Sequence, residues 1–350
     1  MKKHSNDFGN DSVPGLVLRT SIPFMFAQFV NVLYSIVDRI YIGNIPQIGD
    51  VSLAGAGICA PVITLLSSFA TLIGIGGSVL VSMRLGAKDQ EKAKNLLGTS
   101  FSMLLVFSAA LTILFLLLKA PLLQWFGASK TTFPYANTYM TIYTLSTFFA
   151  LLSMGMNYFI TAQGYPGLGM ATTLIGAIVN IVLDPVFIFL LHMNIAGAAL
   201  ATVLAQLSSC VFVLLTLKQK KMPIPLTLAP IRRSTAVRIL KMGFSPFLIL
   251  ATDSVIIIAL NAVLQHFGGP EYGDTLITCA TIVQSYMLLI TSPMLGITGG
   301  SQPLISFNMG AGKVERIRKI VLCVLLLCIG FTTFMFLLSR FVPQYFVRIF

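Results

Sequence analysis

Long apolar runs separated by short polar or charged segments dominate the chain. About nine of these runs reach the ~20 residues that an α-helix needs to cross a bilayer. They lie at roughly 16–43, 52–84, 94–119, 133–160, 168–192, 195–217, 237–267, 276–308 and 317–342. In the first run the polar residues recur at spacings of three and four, which indicates a helix. The pattern therefore predicts an all-α polytopic membrane protein.

The composition agrees with lipid as the solvent of this chain. Hydrophobic residues make up 56% of the 350 positions and charged residues 10%, whereas soluble domains carry about 25% charge. The first run is too long for a signal peptide and contains polar residues, so we expect it to be a true first span. The net charge of +12 does not indicate nucleic acid as a partner, because the basic residues lie in loops between spans.

The basic residues are divided unequally between two sets of loops. The N-terminus and the segments 84–94, 218–241 and 310–319, with Arg19, hold 18 of the 23 lysines and arginines. The positive-inside rule places these segments in the cytoplasm, which predicts an inner-membrane protein with a cytoplasmic N-terminus and an external loop at 266–274. The proline-containing linker 218–236 is predicted to separate an N-lobe from a C-lobe. The predicted N-lobe covers residues 1–217 and the predicted partial C-lobe covers 237–350.

A glycine-rich motif occurs twice in the chain. Residues 74–87 are repeated at 296–311, with an offset of 223 at the Gly-Gly-Ser triplet and of 224 after it. The offset of 223 also places Asp38 opposite Asn261. Many secondary transporters arise by duplication of a set of helices, and their substrate path lies between the repeats. The repeat therefore predicts two pseudo-symmetric lobes.

Three aspartates lie deep in the apolar runs, at positions 38, 184 and 253. A carboxylate near the bilayer centre costs about 3 kcal/mol on insertion scales, and such residues usually face a water-filled cavity or an ion path. The alternative is a carboxylate near a helix end that reaches the membrane interface. This alternative is serious for Asp38, five residues before Gly43, and weaker for Asp184, which precedes Pro185.

The spacing of polar residues favours function in two helices, the first and the fifth, and the sixth helix repeats the four-residue spacing. Gln28, Asn31, Ser35 and Asp38 share one face of the first helix. The pairs Asn180 with Asp184 and Thr202 with Gln206 are each four residues apart. A lone polar residue more often serves helix packing, at about 0.6 kcal/mol, but aligned carboxylate, amide and hydroxyl oxygens suit a proton or a small cation. Two neighbouring carboxylates cannot both stay ionised cheaply, so one of them could load and release a proton.

Three motifs carry a resemblance to a known family. They are Leu-Tyr-x-x-Val-Asp-x-x-x-x-Gly at 33–43, the glycine-rich segment at 74–87, and Asn-x-x-Leu-Asp-Pro at 180–185 with 197–202 after it. Together they resemble the multidrug and toxic compound extrusion (MATE) family, and within it the MepA-like bacterial branch, over nearly the whole chain. The resemblance implies a twelve-helix, two-lobed antiporter that expels cationic lipophilic compounds in exchange for H⁺ or Na⁺, without a cofactor.

The resemblance also implies roles for individual residues. Its cation-coupling site corresponds to Asp38, Asn180, Asp184 and Thr202, and Na⁺ at the first three of these is the only metal expected. Its acidic position in the seventh helix corresponds to Asp253. The candidates for the substrate cavity are Gln28, Asn31, Tyr34, Ser35, Asn157, Gln206, Asn261 and Gln284. The expected partners are cationic drugs or metabolites and the lipid bilayer, and a monomer is expected.

Two features depart from the family pattern. The chain holds about nine of the twelve helices, so we expect either a fragment or a natural truncation with an incomplete C-lobe. Gln163 is neutral at a position where relatives commonly carry a charge.

Other functions are weighed against transport of drugs. A lipid-linked oligosaccharide flippase would need several cationic residues in its cavity, and apart from Arg39 the spans have almost none. A non-transporting receptor or scaffold would explain the duplication but not the aligned carboxylates. An enzyme is not expected, because His4, His192 and His266 are scattered and nothing resembles a nucleophile with its base.

Overall fold

The structure is a computed structural model that describes the backbone of residues 7–341, and it leaves some side chains between 254 and 289 undescribed. The helices are α1 (Val13–Gly43), α2 (Gly49–Gly86), α3 (Gln90–Trp125), α4 (Phe133–Ala162), α5 (Pro166–Pro185), α6 (Asn194–Leu217), α7 (Arg233–Gly310) and α8 (Val314–Phe341). The described residues contain no strand. Within this part of the chain, eight segments are long and apolar enough to cross a membrane. The prediction of an all-α polytopic protein is confirmed.

The first six helices follow the predicted runs, with ends that local chemistry explains. Proline lies within the first two positions of α1, α4 and α5, where its missing N–H costs no helical hydrogen bond. Asp89 caps α3 by accepting a hydrogen bond from the Lys92 backbone N–H at 3.2 Å. The Lys92 side chain also bonds to Asp89 and holds the pKa of this carboxyl below its usual value.

The largest difference from the sequence prediction lies in α7. Separate helices at 237–267 and 276–308 were expected, with a loop at 266–274, but the backbone is one continuous helix of 78 residues. A straight helix of that length would extend about 117 Å.

The two ends of α7 nevertheless lie close together. Gly243 packs against the backbone of Leu72, and Gly310 packs against that of Met83. These two α2 residues are only about 17 Å apart along their helix. Therefore α7 folds back on itself, and its first limb (233–253) and second limb (290–310) run in opposite directions, as a helical hairpin would. The expected separate loop is wrong, whereas the expected reversal of direction is present.

Glycines of the repeated motif lie where the N-lobe (α1–α6) meets the C-lobe (α7 and α8). A methyl group on Gly86 would overlap the carbonyl oxygen of Phe307, and one on Gly310 would overlap that of Met83. Because 83 and 307 are separated by the same 224 positions as 86 and 310, the contact is reciprocal. We call this contact the glycine seam. The two copies of the motif therefore meet each other at a pseudo-twofold axis.

The linker between the lobes lies flat against the N-lobe. The backbone N–H of Ile224 donates to Gln163 Oε1 at 2.8 Å, and the Tyr165 hydroxyl donates to the Lys221 carbonyl at 3.1 Å. Further along, the Ser102 hydroxyl donates to the Ala229 carbonyl at 2.7 Å. Since these bonds fix both halves of the linker, it forms part of the N-lobe surface.

The end of the bundle that carries 84–94, 218–232 and 310–319 is called the basic end. We predict that it faces the cytoplasm, since its positive charge favours that side of the membrane. In a background without native cysteines, Lys220→Cys should react with a membrane-impermeant thiol reagent only from the inside. Lys130→Cys, in the exposed α3–α4 loop, is the matched control and should react only from the outside. Labelling of Lys220→Cys from the periplasm would reverse the topology.

Candidate cation site in the N-lobe

Three polar side chains meet in a buried position between α5 and α6. Asn180 and Asp184 are 0% exposed and Thr202 is 2% exposed. The Asn180 amide donates to Asp184 Oδ1 at 3.4 Å and to Thr202 Oγ1 at 3.3 Å. The Thr202 hydroxyl in turn donates to the Ala198 carbonyl at 3.1 Å. One helical turn separates Asn180 from Asp184, so the predicted shared face is present.

Asp38 joins this group from α1, which packs against α5. Its carboxyl lies beside that of Asp184, and the two groups interact directly. Two carboxylates this close in an apolar environment repel each other strongly when both are ionised. A proton or a cation between them removes that repulsion. The four residues that the resemblance assigned to the coupling site are therefore adjacent in the structure.

Three oxygen atoms in this group are buried without a hydrogen-bond partner in the structure. They are Asp38 Oδ1, Asn180 Oδ1 and Asp184 Oδ2. A buried acceptor without a partner typically costs about 1–3 kcal/mol, and hard cations prefer ligands of this kind. The donor set therefore fits either Na⁺ or a bound proton.

The backbone becomes irregular directly after Asp184. Pro185 has no N–H, so the Ile181 carbonyl loses its usual partner four residues on. The chain continues as a π-helical turn at Val186–Leu190, in which the Leu191 N–H donates to the Val186 carbonyl at 2.9 Å. Such turns are frequent at functional sites, and irregular backbone at membrane depth is tolerated beside cavities. Asp184 therefore occupies the last regular turn of α5.

Aromatic side chains cover the site. Tyr34, one turn before Asp38 on α1, interacts with the Thr202 hydroxyl. The rings of Tyr139 and Tyr143 stack with centroids 6.1 Å apart, and both residues belong to the buried apolar cluster of the N-lobe. Both rings are close enough to Asp38 to sense its charge, so apolar surface lies beside the carboxylates and lowers the local dielectric.

The other cavity candidates in the N-lobe fall into two groups. Asn31 and Ser35 are exposed on α1, and Gln28 is half-buried on the same face, so this polar stripe is open to a ligand. Asn157 donates to the Gly169 carbonyl at 3.2 Å, and Gln206 accepts from the Ser153 hydroxyl at 3.2 Å. These last two residues therefore join helices within the lobe.

The candidates in the C-lobe stand apart from the N-lobe site. Asp253 is exposed on the first limb of α7, and it is not among the groups that act on Asp38 or Asp184. Gln284 is half-buried, and the side chain of Asn261 lies outside the described residues. No group of three or more histidine, cysteine or acidic side chains suited to a metal occurs among the residues that the structure describes.

Two adjacent carboxyl groups, one fully buried and one half-buried, inside a duplicated bundle of membrane helices indicate a transport-type membrane protein. The profile of the MatE family matches residues 23–186 and 250–350, and these two blocks contain most of the chain. The chain belongs to the MatE family. Asp38, Asn180 and Asp184 all fall within the first matched block.

Relatives with known names cover most of this chain. The multidrug export protein MepA of Staphylococcus saprophyticus is 28% identical over 323 residues, which are 90% of this chain and 69% of that protein. MepA of Staphylococcus aureus strain N315 is 27% identical over 319 residues, which are 89% of this chain and 67% of that protein. These matches agree with the MepA-like branch indicated by the motifs.

Solved structures share the fold. A structure described as the outward-facing conformation of a multidrug resistance MATE family transporter of the MOP superfamily aligns with a TM-score of 0.87 and 25% identity. The alignment covers 95% of this chain and 73% of that one. The two-lobed arrangement of helices is therefore that of a MATE transporter.

Proposed function

We propose that the chain is a secondary active multidrug efflux transporter that exports cationic lipophilic compounds in antiport with H⁺ or Na⁺ by alternating access. The observation that carries this proposal is the adjacent pair of Asp38 and Asp184, each of which has a buried oxygen without a hydrogen-bond partner, as Asn180 also does. Membership of the MatE family and the names of the MepA relatives support the export of drugs.

The geometry suggests how the site loads and releases a cation. The hydrogen bonds from the Asn180 amide are long, at 3.3 and 3.4 Å. Rotating the amide therefore loses little hydrogen-bond energy and turns Asn180 Oδ1 towards a cation. Loading neutralises the carboxylates and draws α1 towards α5. Release restores negative charge next to the polar stripe on α1, which then attracts a cationic drug. In this scheme the coupling ion and the drug favour opposite charge states of one site.

The number of carboxylates bears on the energetics. Exchange of one proton for one monovalent drug cation moves no net charge, so each pH unit supplies only ~1.4 kcal/mol. A second proton adds the same amount per pH unit and also about 2.3 kcal/mol per 100 mV of membrane potential. Since Asp38 and Asp184 provide two protonation sites, we propose that the exchange is electrogenic.

Reconstituted vesicles test this proposal. We expect a fluorescent lipophilic cation to move against its gradient when a pH gradient or a Na⁺ gradient is imposed alone. The movement should grow when a favourable membrane potential is clamped with an ionophore. Protein-free vesicles and vesicles without a gradient are the controls. Equal movement with and without every ion gradient would contradict antiport.

A flippase remains the second candidate from the sequence, but no observation in the structure favours it. The N-lobe site is acidic, whereas pyrophosphate requires cationic partners.

A further inference from the structure

The segment that precedes α1 is held by the C-lobe. Phe8 is 4% exposed, and its ring meets that of Phe307 edge-on, with centroids 5.7 Å apart. Leu304 and Ile320 of the C-lobe belong to the same buried cluster, together with Val13, Leu16 and Val17 of α1. We call residues 7–12 the N-terminal strap. Phe8 therefore anchors the strap in an apolar pocket that both lobes form.

Polar bonds from the C-lobe reinforce this anchor. The Asn308 amide donates to the Phe8 carbonyl at 3.0 Å, and Lys313 Nζ donates to the Gly9 carbonyl at 2.9 Å. Arg316 donates through Nε to the Phe8 carbonyl at 3.3 Å and through its terminal nitrogen to the Asp11 carbonyl. Three polar residues around the α7–α8 junction, Asn308, Lys313 and Arg316, thus bind the backbone of the strap.

The strap has an internal structure of its own. Asp7 accepts hydrogen bonds from the backbone N–H of Gly9 at 2.9 Å and from the Asn10 side chain at 2.8 Å. The Asn10 bond is the main cause of a lowered pKa for Asp7. A turn that is already formed loses little further conformational entropy when it docks.

Phe307 connects the strap to the glycine seam. Its ring packs on Phe8, and its backbone carbonyl lies against Gly86 of α2. Any movement that separates Gly86 from Gly310 therefore also displaces the ring on which Phe8 rests. Opening at the basic end therefore moves the residue that holds Phe8 away from α2.

We propose that the N-terminal strap is a latch that holds the two lobes together at the basic end. Opening at that end then requires Phe8 to leave its pocket and Lys313 and Arg316 to release the strap backbone. Only the use of this opening in transport rests on the proposed function, because the contact between the lobes is independent of any substrate.

Electron paramagnetic resonance can measure the opening directly. Spin labels at Glu91→Cys and Arg318→Cys, both exposed, report the distance between the lobes at the basic end. The protein would be studied in lipid nanodiscs in a background without native cysteines. We expect Phe8→Ala combined with Arg316→Ala to raise the ratio of long to short distances by about tenfold, or about 1.4 kcal/mol.

Two controls separate the latch from unfolding and from charge alone. Lys319→Ala removes a positive charge from the same helix, and in the described part of the chain Lys319 does not bond to the strap, so this variant should keep the wild-type ratio. Labels at Glu91→Cys and Lys220→Cys, within the N-lobe, should keep their distance in every variant.

The possible outcomes test the latch separately from the proposed transport function. An unchanged ratio in the Phe8 and Arg316 variant, or an equal rise with Lys319→Ala, would overturn the latch. A changed distance within the N-lobe would show unfolding of the double variant. The single variant Arg316→Ala, which keeps Phe8 in its pocket, would then have to raise the ratio for the latch to stand. If the vesicle assay shows no antiport while the ratio still rises, the proposed function fails and the latch stands.

Discussion

Replacing Asp184 with asparagine is expected to abolish gradient-driven efflux while the protein still folds and inserts. The amide keeps the shape of the side chain but cannot take up or release a proton, and it attracts a cation far less strongly. Folding should survive because a buried neutral group costs less than a buried charge. Asp184 is 0% exposed and bonds to Asn180, so the asparagine would still have a partner.

Efflux from proteoliposomes with a clamped membrane potential checks this expectation. Asp38→Asn should reduce efflux strongly and remove its dependence on the potential, since only one protonation site would remain. Asp253→Asn serves as the matched control, because this aspartate is exposed on α7. If Asp184→Asn transports at the wild-type rate while Asp253→Asn is inactive, coupling resides in the C-lobe and the N-lobe site is not the coupling site.

Substituting alanine at Gly86 or Gly310 is expected to force the lobes apart at the basic end. The added methyl group would overlap a backbone carbonyl of the other lobe in each case, and backbone cannot rotate away as a side chain can. Overpacking of this kind costs about 1–3 kcal/mol. The thermal unfolding temperature in detergent should fall, and the distance between labels at Glu91→Cys and Arg318→Cys should lengthen.

A glycine in the same helix provides the control for this substitution. No heavy atom lies within 4 Å of a methyl group placed on Gly57, so Gly57→Ala should not destabilise the protein. The double variant of Gly86 and Gly310 should cost less than the sum of the two single variants, because both disturb one contact. If Gly86→Ala and Gly57→Ala unfold at the same temperature, the seam does not hold the lobes together.

Hydropathy predicted the helices well because a bilayer imposes one length on every span. Its failure at α7 has a physical basis. The polar segment at 266–274 marks the level at which the chain leaves the apolar region, but it does not determine whether the backbone stays helical there. The structure retains the helix across this segment, and the packing of Gly243 and Gly310 on α2 reveals the reversal.

The candidate site was predictable in part. A spacing of four places Asn180 and Asp184 on one face, but no periodicity shows that α1 and α6 approach that face. Asp38 and Thr202 were assigned through the resemblance, and the structure brings them to the same point. For Asn157 and Gln206 the sequence could not predict the role, because polar residues that join helices have the same sequence pattern as residues that line a cavity.

The bonds that fix the strap and the linker left no signal in the sequence. Gln163, Ser102 and Asn308 each bond to backbone atoms of a distant segment. Backbone N–H and carbonyl groups are present at nearly every position, so their side-chain partners cannot be recognised by residue type. Gln163 was singled out only through the resemblance, as a departure from the family pattern, and its amide oxygen accepts a hydrogen bond from the linker.

The glycine seam bears on how fast the lobes can separate and rejoin. Where backbone meets backbone, no rotamers have to be selected when the surfaces come together, so each closure loses little side-chain entropy. The contacts of Gly300 with Thr20 and of Gly296 with Met25 extend the same surface along α1. The glycine seam has few interlocking side chains that must separate when the lobes move apart. The two lobes can therefore part and rejoin across it repeatedly with a low kinetic barrier.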